Sequence, residues 1–193
     1  MCCPWRRIEM TRVERKTREV EVVVMLSLEG GEIEIDTGIG FLDHMLTSFA
    51  FHSGIGLEIK ARGDLHVDEH HTVEDVAITL GRAFRKAIEG KRLSRFGSAI
   101  VPMDESVAIC GVDISGRGYF VLEGEFGDAG IKGENAVHFL DTFCRNAGVN
   151  VYIQVRGRNE HHKMESAFKA LALALRQALK EAEDVRSTKG RID

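Results

Sequence analysis

Gly54-Ile-Gly-Leu-Glu-Ile59 has a close counterpart later in the chain, Gly148-Val-Asn-Val-Tyr-Ile153. A histidine stands ten residues before each opening glycine, and a His-His pair and then a glutamate follow each stretch. Self-similarity of this kind indicates that one supersecondary unit occurs twice. The sequence therefore predicts two related halves, and the residues kept in both are the first candidates for function.

The match extends outward from these stretches in both directions. The run Glu19–Leu28 aligns with Glu105–Ile114, near the start of each half. Further matched pairs are His44 and His138, Phe49 and Phe143, Arg62 and Arg156, His70 and His161, His71 and His162, Glu74 and Glu165, and Leu80 and Leu171. We predict a first half at residues 1–90 and a second half, with a C-terminal tail, at residues 91–193. No flexible linker separates the halves, so we expect one compact domain with a shared core.

Each half is predicted to contain a β-β-α-β-α unit. Apolar residues alternate along Val20–Leu28 and Val149–Val155, which is typical of strands with one buried face. The last helix of each half has apolar residues at helical spacing, and Gly54 and Gly148 stand where an earlier helix is expected to end. We interpret residues 90–102 as the connection between the halves. The predicted fold class is therefore α+β, with two tandem repeats.

Composition narrows the class of function. The chain has 193 residues, 44% of them hydrophobic, and its 26 basic and 30 acidic residues give a net charge of -4. These charges are well mixed, so we expect neither a nucleic-acid partner nor a membrane partner. No apolar run approaches the roughly 20 residues of a membrane-spanning helix. The first ten residues lack an apolar signal core, and the four cysteines fit no disulfide framework, so we expect a cytoplasmic protein with reduced thiols.

The histidines indicate metal binding. Six of the eight stand at repeat-matched positions: His44, His70, His71, His138, His161 and His162. His70 and Glu74 are four residues apart, as are His161 and Glu165, so each of these pairs lies on one helical face and can chelate one ion. The second histidine of each pair points about 100° away and is expected to serve a different ion.

Two ions are therefore predicted, held by six imidazoles and by the carboxylates of Glu74 and Glu165. Divided evenly, each ion receives three imidazoles and one carboxylate, with positions left for substrate or water. Mn, Fe, Co and Zn all suit such nitrogen and oxygen ligands. A single His-His pair at a helix start is usually a solvated pair. Packing, however, does not explain why both histidines and the glutamate occur twice, because buried polar groups need partners.

Motifs along nearly the whole chain resemble those of the imidazoleglycerol-phosphate dehydratase family. They are Phe41-Leu-Asp-His-Met-Leu46, the segment 63–75, Ser94-Arg-Phe-Gly97, Ser115-Gly-Arg-Gly-Tyr119, the segment 161–165, Phe168-Lys-Ala-Leu171 and Ser187-Thr-Lys-Gly190. The resemblance implies a carbon-oxygen lyase that dehydrates imidazole glycerol phosphate to imidazole acetol phosphate in histidine biosynthesis. It also implies a ribosomal protein S5 domain 2-like fold, with the helices packed between two sheets, and two Mn(II) ions per active site. The family forms a homo-oligomer of 24 subunits, whose metal sites are completed at subunit interfaces.

The resemblance also assigns roles to residues. The family's metal ligands fall on the eight residues selected by the repeat, and its catalytic glutamate falls on Glu19. Its phosphate-binding positions fall on Arg95, Arg117, Lys169, Ser187, Thr188 and Lys189. Lys169 lies seven residues after His162 and so shares its helical face. Two positions depart from the family pattern: Ser48 stands where some relatives have glutamine, and Gly118 stands where proline is common.

The chemistry of the substrate explains why two metals and a base are expected. The C2 proton is not acidic, because no carbonyl group lies beside it, so the imidazole ring has to accept electrons. We expect the two metals to bind the two ring nitrogens and Glu19 to remove the proton. Glu105, the repeat mate of Glu19, is interpreted either as a structural copy or as a substrate ligand.

Two other functions stay open at this point. A two-metal phosphate-ester hydrolase would use similar ligands, with its ions roughly 3.5–4 Å apart. A non-enzymatic metal-binding protein would need no phosphate-binding cation such as Lys169. Release of free phosphate would distinguish the hydrolase from the dehydratase.

Overall fold

The structure is a computed structural model that describes residues 9–183. In this range each half contains the element order β-β-β-α-β-α. The elements are β1 (Thr11–Lys16), β2 (Val20–Ser27), β3 (Ile33–Asp36), α1 (Gly40–Ser53), β4 (Gly56–Gly63), α2 (His70–Ile88), β5 (Phe96–Met103), β6 (Ser106–Asp113), β7 (Tyr119–Glu123), α3 (Gly133–Ala147), β8 (Asn150–Arg156) and α4 (Glu160–Ala178).

Each half has one strand more than predicted. β1 alternates mostly between charged and polar residues, so its sequence carries only a weak apolar signal. β5 occupies most of the segment 90–102 that we interpreted as a connection, and that interpretation was wrong. Both strands lie at sheet edges, where Pro102 is tolerated because its missing N–H breaks no inner ladder. Edge strands are half exposed and therefore hard to recognise from apolar periodicity.

The two sheets have the same topology. Their strand orders are β1-β2-β4-β3 and β5-β6-β8-β7. In each sheet the last pair is parallel, β3 with β4 and β7 with β8, and the other pairs are antiparallel. A parallel pair needs a crossover connection, which α1 supplies in the first half and α3 in the second. The predicted two-repeat α+β fold is confirmed.

The helices lie between the sheets and join the halves. α2 packs on β1 and β2, and α4 packs on β5 and β6, while α1 contacts α4 and α2 contacts α3. Residues of both halves contribute to one hydrophobic core. Phe143 of the second half contacts Phe49 and Phe84 of the first, with ring centroids 6.1 and 5.8 Å apart. The contacts between α1 and α4, and between α2 and α3, thus bring the helices that carry the repeat-matched histidines together.

Glycines determine two features of the helices. Gly54 and Gly148 end α1 and α3 in the left-handed region, with φ of 77° and 71°, as the sequence predicts. Gly81 lets α2 approach α3 closely, because a Cβ there would lie 2.6 Å from the Cβ of Asn146 and 2.8 Å from the carbonyl oxygen of Phe143.

The outer faces of the two sheets differ in chemistry. On the first sheet, outward side chains form ion pairs, such as Lys16 with Glu21 at 2.8 Å and Arg62 with Asp36 at 2.6 Å. On the second sheet, large apolar side chains are exposed: Phe96, Ile100, Ile109, Tyr119, Val121 and Tyr152. We call these six residues the apolar face. None of the helices within residues 9–183 has the length and apolar character that crossing a membrane requires.

Candidate metal sites

The first turns of α2 and α4 present the two His-His pairs. Backbone N–H groups in a first helical turn have no partner within the helix. Asp68 Oδ1 accepts a hydrogen bond from the N–H of His70 at 2.9 Å, and Asn159 Oδ1 accepts one from the N–H of His162 at 3.2 Å. These bonds fix the start of each helix and therefore the directions of its histidine side chains.

One group of potential ligands lies where the start of α2 meets α3. It consists of His70, Glu74 and His138, which we call the α2 cluster, and its ligand atoms lie within 4.8 Å of one another. The rings of His70 and His138 stack with centroids 4.8 Å apart. His138 Nε2 lies 3.4 Å from Glu74 Oε1, and this buried nitrogen has no hydrogen-bond partner among the described residues. A buried polar atom without a partner costs free energy, so a bound cation suits this position.

A second group lies where the start of α4 meets α1. It consists of His44, His161 and Glu165, which we call the α4 cluster, with ligand atoms again within 4.8 Å. Glu165 Oε2 lies 3.1 Å from Nε2 of His161 and 3.8 Å from Nε2 of His44. Imidazole and carboxylate without thiolate fit a divalent ion such as Mn, Fe, Co or Zn. Each cluster thus combines the His-x-x-x-Glu pair of one half with the single histidine of the other.

His71 and His162 point away from both clusters. His71 Nδ1 lies 3.1 Å from Asp64 Oδ2, and His162 Nδ1 lies 2.9 Å from Glu105 Oε2. The hydrogen bond that each ring donates to its carboxylate raises the pKa of the histidine. The structure therefore brings six of the eight predicted ligands together, with two imidazoles per cluster within the chain rather than the three that an even division gives.

Among residues 9–183, a lysine forms an ion pair with one cluster and not with the other. Lys169 Nζ lies 2.7 Å from Oε1 of Glu165, which is buried. Burial is the largest single influence and raises the pKa of Glu165, but Lys169 together with His44 and His161 outweighs it, so the pKa is lowered overall. At the repeat-matched position the first half has Ile78. The predicted cation is thus present at the α4 cluster, and the repeat-matched position beside the α2 cluster carries no charge.

The two repeat-matched glutamates differ in their contacts. Glu105 accepts hydrogen bonds from His162, from the backbone N–H of Asn159 at 2.8 Å and from the hydroxyl of Ser106 at 3.1 Å. These bonds hold the pKa of Glu105 well below its ordinary value. Glu19 is more than half exposed, and its carboxylate lies 3.8 Å from Nδ1 of His71. Glu105 therefore fixes the loop before α4, whereas Glu19 is accessible beside a histidine.

The predicted phosphate-binding arginines, Arg95 and Arg117, lie at the end of β6 that Asp113 occupies. Arg95 Nε and Nη2 donate to the carboxylate of Asp113 at 2.6 and 3.2 Å, and Arg95 has a φ of 72°, rare for a residue other than glycine. Its carbonyl oxygen accepts a hydrogen bond from Ile114, two residues before the exposed turn that contains Arg117. Gly118 has a φ of 76°, which a proline ring could not adopt. Ser187, Thr188 and Lys189 lie outside the described residues.

Several residues that orient this site were not predicted. Asn135 accepts a hydrogen bond from the ring of His70, and Asp64 holds the ring of His71. His52 lies close enough to Lys169 for that charge to lower its pKa, although burial is the larger cause of the lowered pKa. These residues lack repeat mates of the same type, so the comparison of the halves gave no signal for them.

Comparison with known proteins shows the family. The family model for imidazoleglycerol-phosphate dehydratase matches residues 37–175. A protein of that name from Archaeoglobus fulgidus is 57% identical over 185 residues, which cover 95% of this chain and all of the relative. A histidine biosynthesis bifunctional protein from Stenotrophomonas maltophilia is 47% identical over 93% of this chain and 52% of its own length. The crystal structure of imidazoleglycerol-phosphate dehydratase from Staphylococcus aureus has a TM-score of 0.82 and 35% identity, covering 90% of this chain and 100% of that one.

Proposed function

Because the chain belongs to the imidazoleglycerol-phosphate dehydratase family, it is a hydro-lyase of histidine biosynthesis, and we propose that its two clusters hold two divalent ions against the substrate's imidazole ring. The reaction removes water from imidazole glycerol phosphate and gives imidazole acetol phosphate. The supporting observation is the pair of like clusters, each drawing ligands from both halves. Family membership favours this activity over the phosphate-ester hydrolase and the metal-binding protein that the sequence also allowed.

The residues divide the work of the reaction. A divalent ion on a ring nitrogen lowers the pKa of that nitrogen and makes the ring a better electron acceptor. The side chains of each cluster would hold one ion, which we propose to be Mn(II). Each ion would bind one nitrogen of the substrate's imidazole ring. The ring would expel the C3 hydroxyl and Glu19 would then take the proton from C2, so that hydroxide and this proton together make up the water lost; the resulting enol relaxes to the ketone. Exposure of Glu19 beside His71 supports this assignment.

We propose that His71 and His162 complete the metal sites of neighbouring subunits. Each has its Nδ1 next to a carboxylate, Asp64 or Glu105, which leaves Nε2 as the nitrogen for a metal. Each points away from the clusters of its own chain, and each cluster has one imidazole fewer than the even division predicts. The proposed assembly is the homo-oligomer of 24 subunits that the family resemblance implies.

Assembly needs a contact surface, and the apolar face supplies one. Phe96 is 55% exposed, Ile100 70% and Tyr119 64%. In the ladder, Ile100 lies opposite Ile109, so the exposed side chains are neighbours. Contiguous exposed apolar surface marks interaction sites, and lasting homo-oligomer interfaces are the more apolar ones. We propose that this face is covered by other copies of the chain.

The phosphate group would bind on the side of the α4 cluster. Lys169 places an ammonium there, and lysine and arginine both bind phosphate through charge-assisted hydrogen bonds. We propose that Lys169, Arg95, Arg117 and the stretch Ser187, Thr188 and Lys189 bind the phosphate, the last three by family resemblance alone. The backbone N–H of Arg95 donates to Ala178, at the opposite end of α4 from Glu165, so Arg95 and Arg117 would act in the site of a neighbouring subunit. The ion pair with Asp113 fixes the guanidinium of Arg95.

Turnover by metal-stripped protein, before and after addition of Mn(II), tests the proposal. Ketone and free phosphate are followed in the same reaction. We expect ketone to appear only after metal is added, with no free phosphate. Phosphate without ketone would indicate a hydrolase, and bound metal with neither product would indicate a metal-binding protein.

A further inference from the structure

The two clusters differ in what holds the first histidine of each His-His pair. His70 Nδ1 lies 3.1 Å from Oδ1 of Asn135, a residue of α3 that is only 2% exposed. At the matched position in α1 stands Phe41, whose ring meets that of His161 edge-on, with centroids 5.2 Å apart. A hydrogen-bond acceptor therefore faces one histidine, and a hydrocarbon ring faces the other.

The network around Asn135 determines the direction of its amide. Its Nδ2 donates to Oε1 of Glu69 at 2.9 Å, and the same oxygen accepts from the backbone N–H of Lys132 at 2.8 Å. A carboxylate only accepts hydrogen bonds, so the amide nitrogen must face Glu69 and the amide oxygen must face His70. The proton of His70 is thereby placed on Nδ1, and Nε2 keeps its lone pair.

Such a hydrogen bond strengthens a metal ligand. When one ring nitrogen donates to a fixed acceptor, the tautomer and the ring orientation are set and the other nitrogen becomes more basic. Within residues 9–183, Nδ1 of His161 has no hydrogen-bond partner, and the polar contact of this ring is from Nε2 to Glu165 at 3.1 Å. His161 is thus oriented by ring contacts and by its own cluster partner alone.

The charges next to the clusters also favour tighter ion binding at the α2 cluster. Lys169 lies 2.7 Å from the carboxylate of Glu165 in the α4 cluster, and a nearby ammonium opposes the binding of a second cation. Ile78 occupies the matched place beside Glu74 and brings no charge. The hydrogen bond to His70 and the charge distribution therefore both favour tighter ion binding at the α2 cluster.

We propose that the two ion sites are unequal, with the α2 cluster binding its ion more tightly, and that Asn135 is the positioning residue that makes it so. This inference rests on the proposed function, since both clusters must bind ions. The ions then bind in order, the α2 cluster first and the α4 cluster second.

Titration of the assembled, metal-stripped protein with Mn(II), followed by the spectroscopic signal of the free ion, tests the proposal. We expect two classes of site in equal number. In Asn135→Leu, the tighter class should weaken by about 10–100-fold, as expected when the acceptor of a ligating histidine is lost, and the weaker class should stay unchanged. Arg145→Leu, which changes an exposed side chain near the end of the same helix, is the control.

Two further measurements separate orientation from general damage. With ¹⁵N-labelled histidine, the ring signals of His70 should report the Nδ1-protonated tautomer in the parent protein and lose it in Asn135→Leu. Phe41→Asn supplies an acceptor to His161 and should tighten the weaker class. If Asn135→Leu does not fold, Phe41→Asn decides the question.

Equal classes in the parent protein would overturn the proposal, as would equal effects of Asn135→Leu and Arg145→Leu or an unchanged weaker class in Phe41→Asn. Turnover is measured separately on the same samples. Equal sites with normal, metal-dependent turnover would remove this inference alone, whereas absence of both metal binding and turnover would remove the proposed function.

Discussion

The α2 cluster and the α4 cluster occupy matched places in the two halves but have different neighbours. Beside the α2 cluster lie Asn135, an uncharged Ile78 and, at the neighbouring His71, the exposed Glu19. Beside the α4 cluster lies Lys169, bound to Glu165. Duplication accounts for two like ligand clusters, and we propose that their divergent neighbours let one substrate bind in a single direction.

The largest expected effect separates the two matched glutamates. Glu19→Gln should lower kcat by about 10²–10⁴-fold, since a general base is lost, while Mn(II) affinity stays near that of the parent. Glu105→Gln should keep most of its kcat at saturating Mn(II), because Glu105 is tied to His162 and the loop before α4. Steady-state kinetics with a parallel Mn(II) titration measures both. Full activity in Glu19→Gln would remove the base from our account.

The next effect concerns the cation present at one cluster only. Lys169→Met should lower kcat/KM by about 10–100-fold, because a hydrogen bond to a charged group contributes about 1.5–3 kcal/mol. Most of the loss should fall on KM. The matched control is Ile78→Met, which changes a side chain at the equivalent place without changing charge and should leave KM unaltered. Equal KM changes in the two variants would contradict a phosphate-binding role for Lys169.

The outer faces of the sheets allow a matched test of assembly. Ile109 and Val23 are repeat mates on outward positions of β6 and β2. Ile109→Lys should break the assembly into smaller species, because it places a charge within the apolar face, and activity should fall with it. Val23→Lys, on the charged sheet, should leave the assembly intact. Sedimentation velocity distinguishes these outcomes, and an intact assembly in Ile109→Lys would show that other surfaces join the subunits.

The smallest expected effect concerns the packing that positions the α2 cluster. Gly81→Ala should lower the free energy of unfolding by about 1–3 kcal/mol, because the added methyl group would crowd Asn146 and overpack the contact of α2 with α3. Its repeat mate is Ala172 in α4, where Ala172→Gly should cost up to about 1 kcal/mol through helix propensity. Denaturant unfolding measures both, and a stabilised Gly81→Ala would indicate that the helices can move apart.

The repeat in the sequence was sufficient to predict the fold class and the pairing of each His-x-x-x-Glu motif on one face. It could not predict β1 and β5, because these edge strands bury only one flank and have little apolar periodicity. It also could not predict which half supplies the third member of each cluster, since that depends on how α1 packs against α4 and α2 against α3. Asn135 escaped notice for a related reason: its role exists only at the contact between the halves.

The most direct test of the central claim is a crystal structure of Glu19→Gln with substrate and Mn(II), with anomalous scattering collected at the manganese edge. The account predicts one manganese peak at the α2 cluster, one at the α4 cluster, and the two nitrogens of the imidazole ring bound one to each. Two peaks within a single cluster, or two ions bridged by the phosphate while the ring lies elsewhere, would contradict it.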